Sequence, residues 1–293
     1  MLHGRRFLSG ARWARRNADT AAFAALEHRN WQKAVSAYDR TFGPLTSQCI
    51  PALLDATLPA LPATGSARVL DVATGPGMVA EAALQRCAEV VALDFSRKML
   101  DLAEERLGNS VEFVEADAGS MPFEANSFDA VLCSFGVLHL PVPEAFFLEA
   151  FRLLRPSGKL GFTVWAAAPE TEAMALIHEA VQTHGDLNVP LPEAPPFFRF
   201  ANFESSREAL LAAGFAEVKS QKVPMVWELD SAEDLFVGFR DGTGRTAELL
   251  ALQGPRQLAE IQRFVTARAE ETRSAGGPCR FHMPCVLTVA TKR

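Results

Sequence analysis

The sequence has no apolar run long enough for a membrane-spanning helix, which requires about 18 or more consecutive apolar residues. It has no C-x-x-C pair, and its five cysteines are odd in number, which disfavours a disulfide framework and a cysteine-based zinc site. It has no excess of positive charge either, because 35 acidic residues outnumber 29 basic ones and give a formal net charge of −6. We therefore predict a cytoplasmic protein with no membrane span, no metal and no nucleic-acid partner.

The first 18 residues differ from the rest because they contain no acid before Asp19 and are rich in arginine. This composition is also typical of a mitochondrial presequence, so a mitochondrial location is the alternative. The segment is poor in serine, which favours a basic N-terminal arm of a cytoplasmic protein. The arginines are Arg5, Arg6, Arg12, Arg15 and Arg16.

Short β-like runs alternate with amphipathic helical patterns from residue 68 to about residue 165. Spacings of 20 to 30 residues between the runs are typical of a parallel sheet with crossover helices. The predicted strands are ARVLDVA, EVVALDF, VEFVEA, FDAVLCSF and KLGFTVW, and the predicted helices between them are GMVAEAALQRC, SRKMLDLAEERL and PEAFFLEAFRLL. The pattern predicts an α/β core.

Helical patterns flank this core on both sides. Residues 20–60 read as helices interrupted by Pro44 and Pro51, and after the core the helix FESSREALLAAG has a glycine, Gly214, well placed as its C-terminal cap. A strand EVKSQKVPMVWEL, three helices through residue 273 and a final strand HMPCVLTVATK follow. We predict three segments: an N-terminal arm and helical lid segment (1–60), a cofactor-binding Rossmann-like core (61–168), and substrate lid helices with the final strands of the sheet (169–293).

The stretch VLDVATGPGMVA allows two interpretations of a bound cofactor. With Gly75, Gly77 and the small Ala80 it satisfies the dinucleotide pattern G-x-G-x-x-A. An acid, Asp71, also ends the preceding strand, which that pattern does not require. Asp94 closes the second strand and suits the ribose hydroxyls of either cofactor, because a carboxylate can accept two hydrogen bonds.

The third strand separates the two interpretations. It ends in VEADAGSMPF, which places Asp117 at a strand end with Met121 and Phe123 close behind. An acid there can accept from the exocyclic amine of an adenine while apolar neighbours cover the ring. FDAVLCSFGVLHL and LLRPSGKLGF then follow as the fourth strand and the approach to the fifth.

This ordered series resembles the class I S-adenosylmethionine-dependent methyltransferases, especially the small-molecule branch that includes the quinone-biosynthesis enzymes. The resemblance is strongest over residues 66–165. It implies a Rossmann-like, mostly parallel seven-stranded sheet with an antiparallel last strand, helices on both faces and a helical lid, and it implies S-adenosyl-L-methionine as cofactor. By this resemblance the cofactor loop is Asp71, Ala73, Gly75 and Gly77, the ribose acid is Asp94, the adenine neighbours are Phe95, Asp117 and Ala118, and Ser134 and Phe135 face the sulfonium.

One position departs from the family pattern. Ala73 stands where a glycine is usual, and an alanine fits there without strain only if its φ is negative. We therefore expect a negative φ at Ala73.

The residues expected at the acceptor follow from their position around the cleft. His139, after the fourth strand, is the candidate general base, with loop packing as its alternative role. The only tyrosine, Tyr38, is expected to reach the methionine end of the cofactor or the acceptor, although its spacing from Trp31 also suits a buried helix face. Phe135, Phe198 and Arg199 are the predicted acceptor contacts.

The sequence thus predicts a methyltransferase acting on a small, aromatic or apolar acceptor, as a monomer or homodimer. Oxygen is the favoured acceptor atom, and nitrogen and carbon stay open. Two alternatives are a noncatalytic S-adenosylmethionine-binding subunit and an NAD-dependent oxidoreductase.

Overall fold

A computed structural model describes residues 10–58, 67–86, 89–274 and 276–293, with side chains from residue 19 onward. The predicted arm over residues 1–9 lies outside the described residues, as does Cys87.

The main sheet has seven strands in the order β3-β2-β1-β4-β5-β9-β6. The first five run parallel to their neighbours, whereas β9 pairs antiparallel with both β5 and β6. This confirms the predicted sheet and its antiparallel last strand. The strands are β1 (Arg68–Val72), β2 (Glu89–Asp94), β3 (Glu112–Glu115), β4 (Phe128–Ser134), β5 (Leu154–Trp165), β6 (Ala216–Val223), β7 (Val226–Leu229), β8 (Cys279–His282) and β9 (Cys285–Thr291).

Helices cover both faces of this sheet. The described α-helices are α1 (Gly10–Arg40), α2 (Phe42–Ser47), α3 (Ile50–Thr57), α4 (Met78–Leu84), α5 (Arg97–Leu107), α6 (Pro143–Leu153), α7 (Glu172–His184), α8 (Phe203–Ala212), α9 (Glu233–Asp241), α10 (Arg245–Ala251) and α11 (Pro255–Glu271). Pro51 lies in the first turn of α3, where a proline removes no helical hydrogen bond. Gly214 follows α8 with φ +101°, as its predicted capping role requires.

The central strands are apolar on both faces, as expected for a sheet sandwiched between helices. In β1, Val69 and Leu70 are both fully buried but belong to separate apolar clusters on opposite sides of the sheet. Because β1 to β5 run parallel, their carboxyl ends lie at one shared edge of the sheet, where a ligand site can form.

The predicted strand EVKSQKVPMVWEL is two strands in the structure, and β8 is a further strand that lies, except for His282, before the predicted HMPCVLTVATK. Pro224 separates β6 from β7, and Pro284 separates β8 from β9, because proline has no amide hydrogen for a ladder. β7 and β8 lie outside the main sheet and form a second, two-stranded antiparallel sheet. In addition, β5 begins at Leu154, five residues before the predicted KLGFTVW.

The long helix α1 packs against α9 and α10. Together they cover the edge at which the parallel strands end, which agrees with the predicted helical lid. Within the described ranges, no helix combines the length and apolar character needed to cross a membrane.

Candidate active site

A cavity of about 410 Å³ lies at the carboxyl ends of the parallel strands. This volume is within the range of small-molecule sites. Eleven of the residues predicted from the sequence line it: Tyr38, Ala73, Gly75, Asp94, Phe95, Asp117, Ala118, Ser134, Phe135, His139 and Phe198. Three do not: Asp71, Gly77 and Arg199. We call the part formed by Ala73, Thr74, Gly75, Asp94, Phe95, Asp117 and Ala118 the loop end, and the part formed by Tyr38, Phe42, Phe135, Trp165, Phe197, Phe198 and Phe239 the aromatic end.

The loop end begins with a glycine-rich turn in the left-handed backbone region. Gly75 has φ +54°, and a Cβ added to it would meet no atom within 4 Å, so the backbone at this position is open to a ligand. Gly77 has φ +86° and begins α4, and a Cβ there would come within 3.0 Å of Leu107 and 3.1 Å of Ala103. Gly77 therefore permits close helix packing and is not a cavity residue.

The expectation of a negative φ at Ala73 is wrong, because its φ is +55°. The turn is fixed by its neighbours: the Thr74 amide donates to the Leu93 carbonyl at 3.0 Å, and the Thr74 hydroxyl donates to Asp71 at 2.6 Å. The methyl group of Ala73 points toward Gly136, where an added Cβ would lie only 2.6 Å from it. The left-handed conformation costs an alanine about 1–2 kcal/mol.

Asp71 lies beneath the loop rather than in the cavity and is 1% exposed. Its Oδ2 accepts from the Thr74 hydroxyl and from the Ala80 amide in the first turn of α4, at 2.6 and 3.1 Å. Its Oδ1 has no hydrogen-bond partner, and burial raises its pKa to about 7. The geometry assigns Asp71 to holding the loop against α4.

Asp94 lies at the end of β2 and faces the cavity. Its Oδ2 accepts from the Gly75 amide at 2.9 Å and its Oδ1 from the Ser96 amide at 2.8 Å. Burial raises its pKa to about 6, against the lowering effect of these bonds. Each oxygen can accept a further bond, so Asp94 links the glycine turn to any ligand with adjacent hydroxyls.

The third strand contributes Asp117, which is exposed at the cavity wall and accepts from the Gly119 amide at 2.6 Å. The apolar cover predicted from Met121 and Phe123 is wrong. Met121 is buried away from the cavity, and Phe123 packs edge-on against Phe128 at 5.1 Å. Phe95 and the apolar side chains Leu93 and Met99 line the loop end instead.

The aromatic end is formed by rings from widely separated segments. Phe135 and Trp165 lie 4.3 Å apart between ring centroids, at the ends of β4 and β5. Tyr38 of α1 contacts Trp31 edge-on at 5.4 Å, and its hydroxyl lies 3.3 Å from the Thr46 hydroxyl. Burial raises the pKa of Tyr38 to about 12, so its phenol stays neutral.

Ser134 is the polar residue between the two ends. Its hydroxyl lies 3.0 Å from the Thr163 hydroxyl and 3.8 Å from the Cys49 sulfur. The neighbouring Cys133 is fully buried, and burial raises the pKa of its thiol. Such a buried thiol is expected to be inert.

The arginine at the cavity is not the predicted one. Arg199 forms an ion pair with Glu144 at 2.6 Å and stacks over Phe200, outside the cavity. Arg245 of α10 lines the cavity instead and donates to the Pro192 carbonyl at 2.9 Å. Among the described residues, no carboxylate lies within 4 Å of Arg245, and burial lowers the pKa of its guanidinium.

His139 makes a contact that sequence reasoning missed. Its Nδ1 lies 2.9 Å from Oε2 of Glu27, a residue of α1 that is 1% exposed and also lines the cavity. Trp31, one turn further along α1, donates its indole N–H to the same oxygen at 2.9 Å. The only sequence signal was that Glu27 and Trp31 share a helix face.

Comparison with known proteins agrees with this geometry. A sequence profile described as "Methyltransferase domain" matches residues 70–162. A demethylmenaquinone methyltransferase of Clavibacter sepedonicus is 32% identical over 205 residues, which cover 64% of this chain and 81% of the relative. This chain is a class I S-adenosylmethionine-dependent methyltransferase. Its cofactor is S-adenosylmethionine, so the nicotinamide interpretation of the glycines is wrong.

Other proteins similar to this methyltransferase match it over less of their own length or at lower identity. A ubiquinone/menaquinone biosynthesis C-methyltransferase of Agrobacterium fabrum is 40% identical over 103 residues, which are 32% of this chain and 40% of that protein. A methyltransferase structure from Bacillus halodurans has 23% identity and a TM-score of 0.51, covering 83% of this chain and 98% of the other. A phosphoethanolamine N-methyltransferase of Haemonchus contortus has 20% identity and a TM-score of 0.57, covering 92% and 60%. At these identities the structures establish the fold.

The residues at the loop end fit this cofactor. Gly75 leaves open backbone, Asp94 has accepting capacity for two hydroxyls, and Asp117 presents a carboxylate oxygen beside apolar side chains. That Asp94 holds the ribose, and Asp117 and Ala118 the adenine edge, stays a proposal that this geometry supports.

Proposed function

We propose that this methyltransferase methylates a small, flat, apolar acceptor that carries an ionisable hydroxyl group on an aromatic ring. The observation that carries the proposal is the contact of Glu27 with His139 in the wall of an otherwise aromatic cavity. Aromatic side chains bury a flat ring, and a histidine held by a carboxylate can take a proton from its hydroxyl.

The cofactor supplies an electrophilic methyl group on a positively charged sulfur. The protein has to hold the acceptor against that group and exclude water, an effect worth up to about 7–11 kcal/mol in well-oriented reactions. Phe135, Trp165 and Phe198 are placed to enclose a ring. His139 is the proposed general base, and such groups contribute typically about 10²- to 10⁴-fold.

The acceptor atom is proposed to be a ring carbon next to the hydroxyl. Two of the named relatives, the demethylmenaquinone methyltransferase and the C-methyltransferase of quinone biosynthesis, support carbon. Loss of the hydroxyl proton activates both the oxygen and the adjacent ring carbon. O-methylation, which the sequence favoured, would therefore start from the same deprotonated ring. Product analysis distinguishes the O-methylated product from the C-methylated one.

The test is turnover with methyl-labelled S-adenosylmethionine and a panel of quinols, simple phenols and amines. We expect methylation of quinols or phenols and a carbon–methyl bond in the product by NMR. Methylation of amines alone would contradict the proposed acceptor. A protein that binds the cofactor and methylates nothing in the panel would support the noncatalytic alternative.

We propose the three-segment division as a description of the site as well. Tyr38 comes from residues 1–60, Asp94 from 61–168 and Arg245 from 169–293, and all three line one cavity. A cytoplasmic location and a monomeric or homodimeric state stay predictions.

A further inference from the structure

Glu27 is a carboxylate in an unusual environment. Its side chain is 1% exposed, and it lies on α1 with its head group at the cavity wall. A carboxylate is rarely buried this deeply unless it is paired or hydrogen-bonded, because its charged form loses hydration.

Two ring nitrogens lie within hydrogen-bond distance of a single oxygen of this carboxylate. The Trp31 indole N–H and the His139 Nδ1 both lie 2.9 Å from Oε2, and the imidazole and indole rings contact edge-on at 4.8 Å. Oε1 has no hydrogen-bond partner among the described residues. The indole can only donate, so it fixes Oε2 as the acceptor that faces His139.

The start of α10 is built closely around this carboxylate. A Cβ at Gly244 would lie 3.1 Å from Glu27 Oε2 and 3.2 Å from the Trp31 indole nitrogen. The Asn30 amide donates to the Gly244 carbonyl at 3.1 Å and holds this backbone in place. Three groups from three chain segments, Trp31, His139 and Gly244, thus surround the Glu27 carboxylate.

We propose that Glu27 is a positioning residue that keeps the His139 proton on Nδ1 and leaves Nε2 as the proton acceptor for the substrate hydroxyl. This inference rests on the proposed function. The O–H bond of the acceptor breaks, its electron pair stays on oxygen, and the proton forms an N–H bond at Nε2. The products of this step are a phenolate and an imidazolium, which the Glu27 carboxylate stabilises at 2.9 Å; the proton later passes to water.

A purely structural role is the competing explanation, since Glu27 also joins α1 to the loop after β4. Glu248 provides a matched control, because it joins the same helix to α10 through Arg29 and Asn30, at 3.2 Å each. Glu248 does not line the cavity and makes no contact with His139. Glu248→Gln removes an interhelical carboxylate and leaves the contact between Glu27 and His139 intact.

The first test reads the tautomer directly and needs neither acceptor nor cofactor. NMR of protein with nitrogen-labelled histidine, assigned with His139→Gln, is expected to show a protonated Nδ1 and an unprotonated Nε2 at His139 near neutral pH. A proton on Nε2 in the wild-type protein would overturn the inference. Because this experiment uses only the wild-type protein and an assignment variant, it does not depend on whether a Glu27 variant folds.

The second test separates positioning from structure by kinetics. We expect Glu27→Gln to lower kcat about 10- to 100-fold, with the acceptor KM and the Kd for S-adenosylhomocysteine within about twofold of wild type. His139→Gln should lower kcat at least as much, and the double variant no further, because the two residues act as a unit. Glu248→Gln should keep the wild-type kcat.

The outcomes distinguish the inference from the proposed function. If the wild-type protein methylates quinols and Glu27→Gln does so at the wild-type rate, the inference fails and the function stands. If the wild-type protein methylates nothing in the panel while His139 carries its proton on Nδ1, the function fails and the positioning geometry stands.

Discussion

The loop end and the aromatic end of the cavity are built in different ways. The loop end uses residues 73–118, which follow three successive strands and are held by hydrogen bonds from backbone amides, such as that of Gly75 to the Asp94 carboxylate. The aromatic end joins α1, the ends of β4 and β5, and segments after residue 170, by the packing of aromatic side chains. A site for a fixed cofactor can thus be encoded in local backbone geometry, whereas a site for a variable acceptor depends on the packing of distant segments.

The largest expected effect is at Asp94. Asp94→Asn removes the charge that is proposed to accept from two ribose hydroxyls, and hydrogen bonds to charged groups contribute about 1.5–3 kcal/mol each. We expect the Kd for S-adenosylhomocysteine to rise about 100-fold by calorimetric titration. Glu115→Gln, at the register partner of Asp94 on the exposed end of β3, is the control and should bind as wild type. Unchanged binding by Asp94→Asn would refute the ribose assignment.

The second effect is a pH dependence at the same residue. Burial raises the pKa of Asp94 to about 6 in the free protein, and hydroxyl donors favour its carboxylate form. Protons and ligand therefore compete, so affinity for S-adenosylhomocysteine should be constant above about pH 7 and fall up to about tenfold per unit below pH 6. Titrations from pH 5 to 8 measure this. A flat profile in Asp94→Asn would attribute the dependence to this group rather than to Asp71.

A third experiment compares Arg245, which lines the cavity, with Arg199, which lies outside it. Arg245→Gln removes the half-buried guanidinium, and we expect the acceptor KM to rise about tenfold while the Kd of the cofactor product is unchanged, since one charged hydrogen bond is lost. Arg199→Gln breaks the partly exposed pair with Glu144, worth at most about 1 kcal/mol of stability, and removes the stacking on Phe200. An acceptor KM that responds to Arg199 and not to Arg245 would restore the prediction made from the sequence.

The smallest effect tests the strained turn. Ala73→Gly relieves a left-handed alanine, worth about 1–2 kcal/mol, and returns part of it through the greater freedom of glycine in the unfolded chain. We expect a gain of up to about 1 kcal/mol in unfolding free energy by denaturant titration. The same substitution within α7, Ala175→Gly, should lower stability by about 0.5–1 kcal/mol. Destabilisation by both would show that the Ala73 methyl group matters for packing against Gly136.

The loop end was predictable from the sequence because its signals are local. Asp94 and Asp117 each end an apolar run, and strand ends in a parallel sheet meet at one edge. The same reasoning erred where packing decides: it placed Met121 and Phe123 beside the ligand, although Met121 lies in the core and Phe123 packs against it. It also gave Asp71 and Gly77 to the ligand, whereas they hold α4 in place.

The aromatic end was only partly predictable. His139 was identified from its position after the fourth strand, but its partner Glu27 is 112 positions away and looks like an ordinary helix residue. Arg199 was predicted because it stands among phenylalanines in the sequence, and Arg245 was not considered. In the structure, Arg199 pairs with Glu144 of α6 outside the cavity, and Arg245 lines the cavity.

The division of the last strands at Pro224 and Pro284 has a consequence for how new substrate ranges arise. The segments 216–229 and 279–291 pair with each other twice, as β6 with β9 and as β7 with β8. The chain between Leu229 and Cys279 carries α9, α10 and α11. Its two ends are therefore held together by two antiparallel strand pairs. An exchange of this helical insert between related enzymes can replace one wall of the acceptor site while the sheet and the loop end keep their structure.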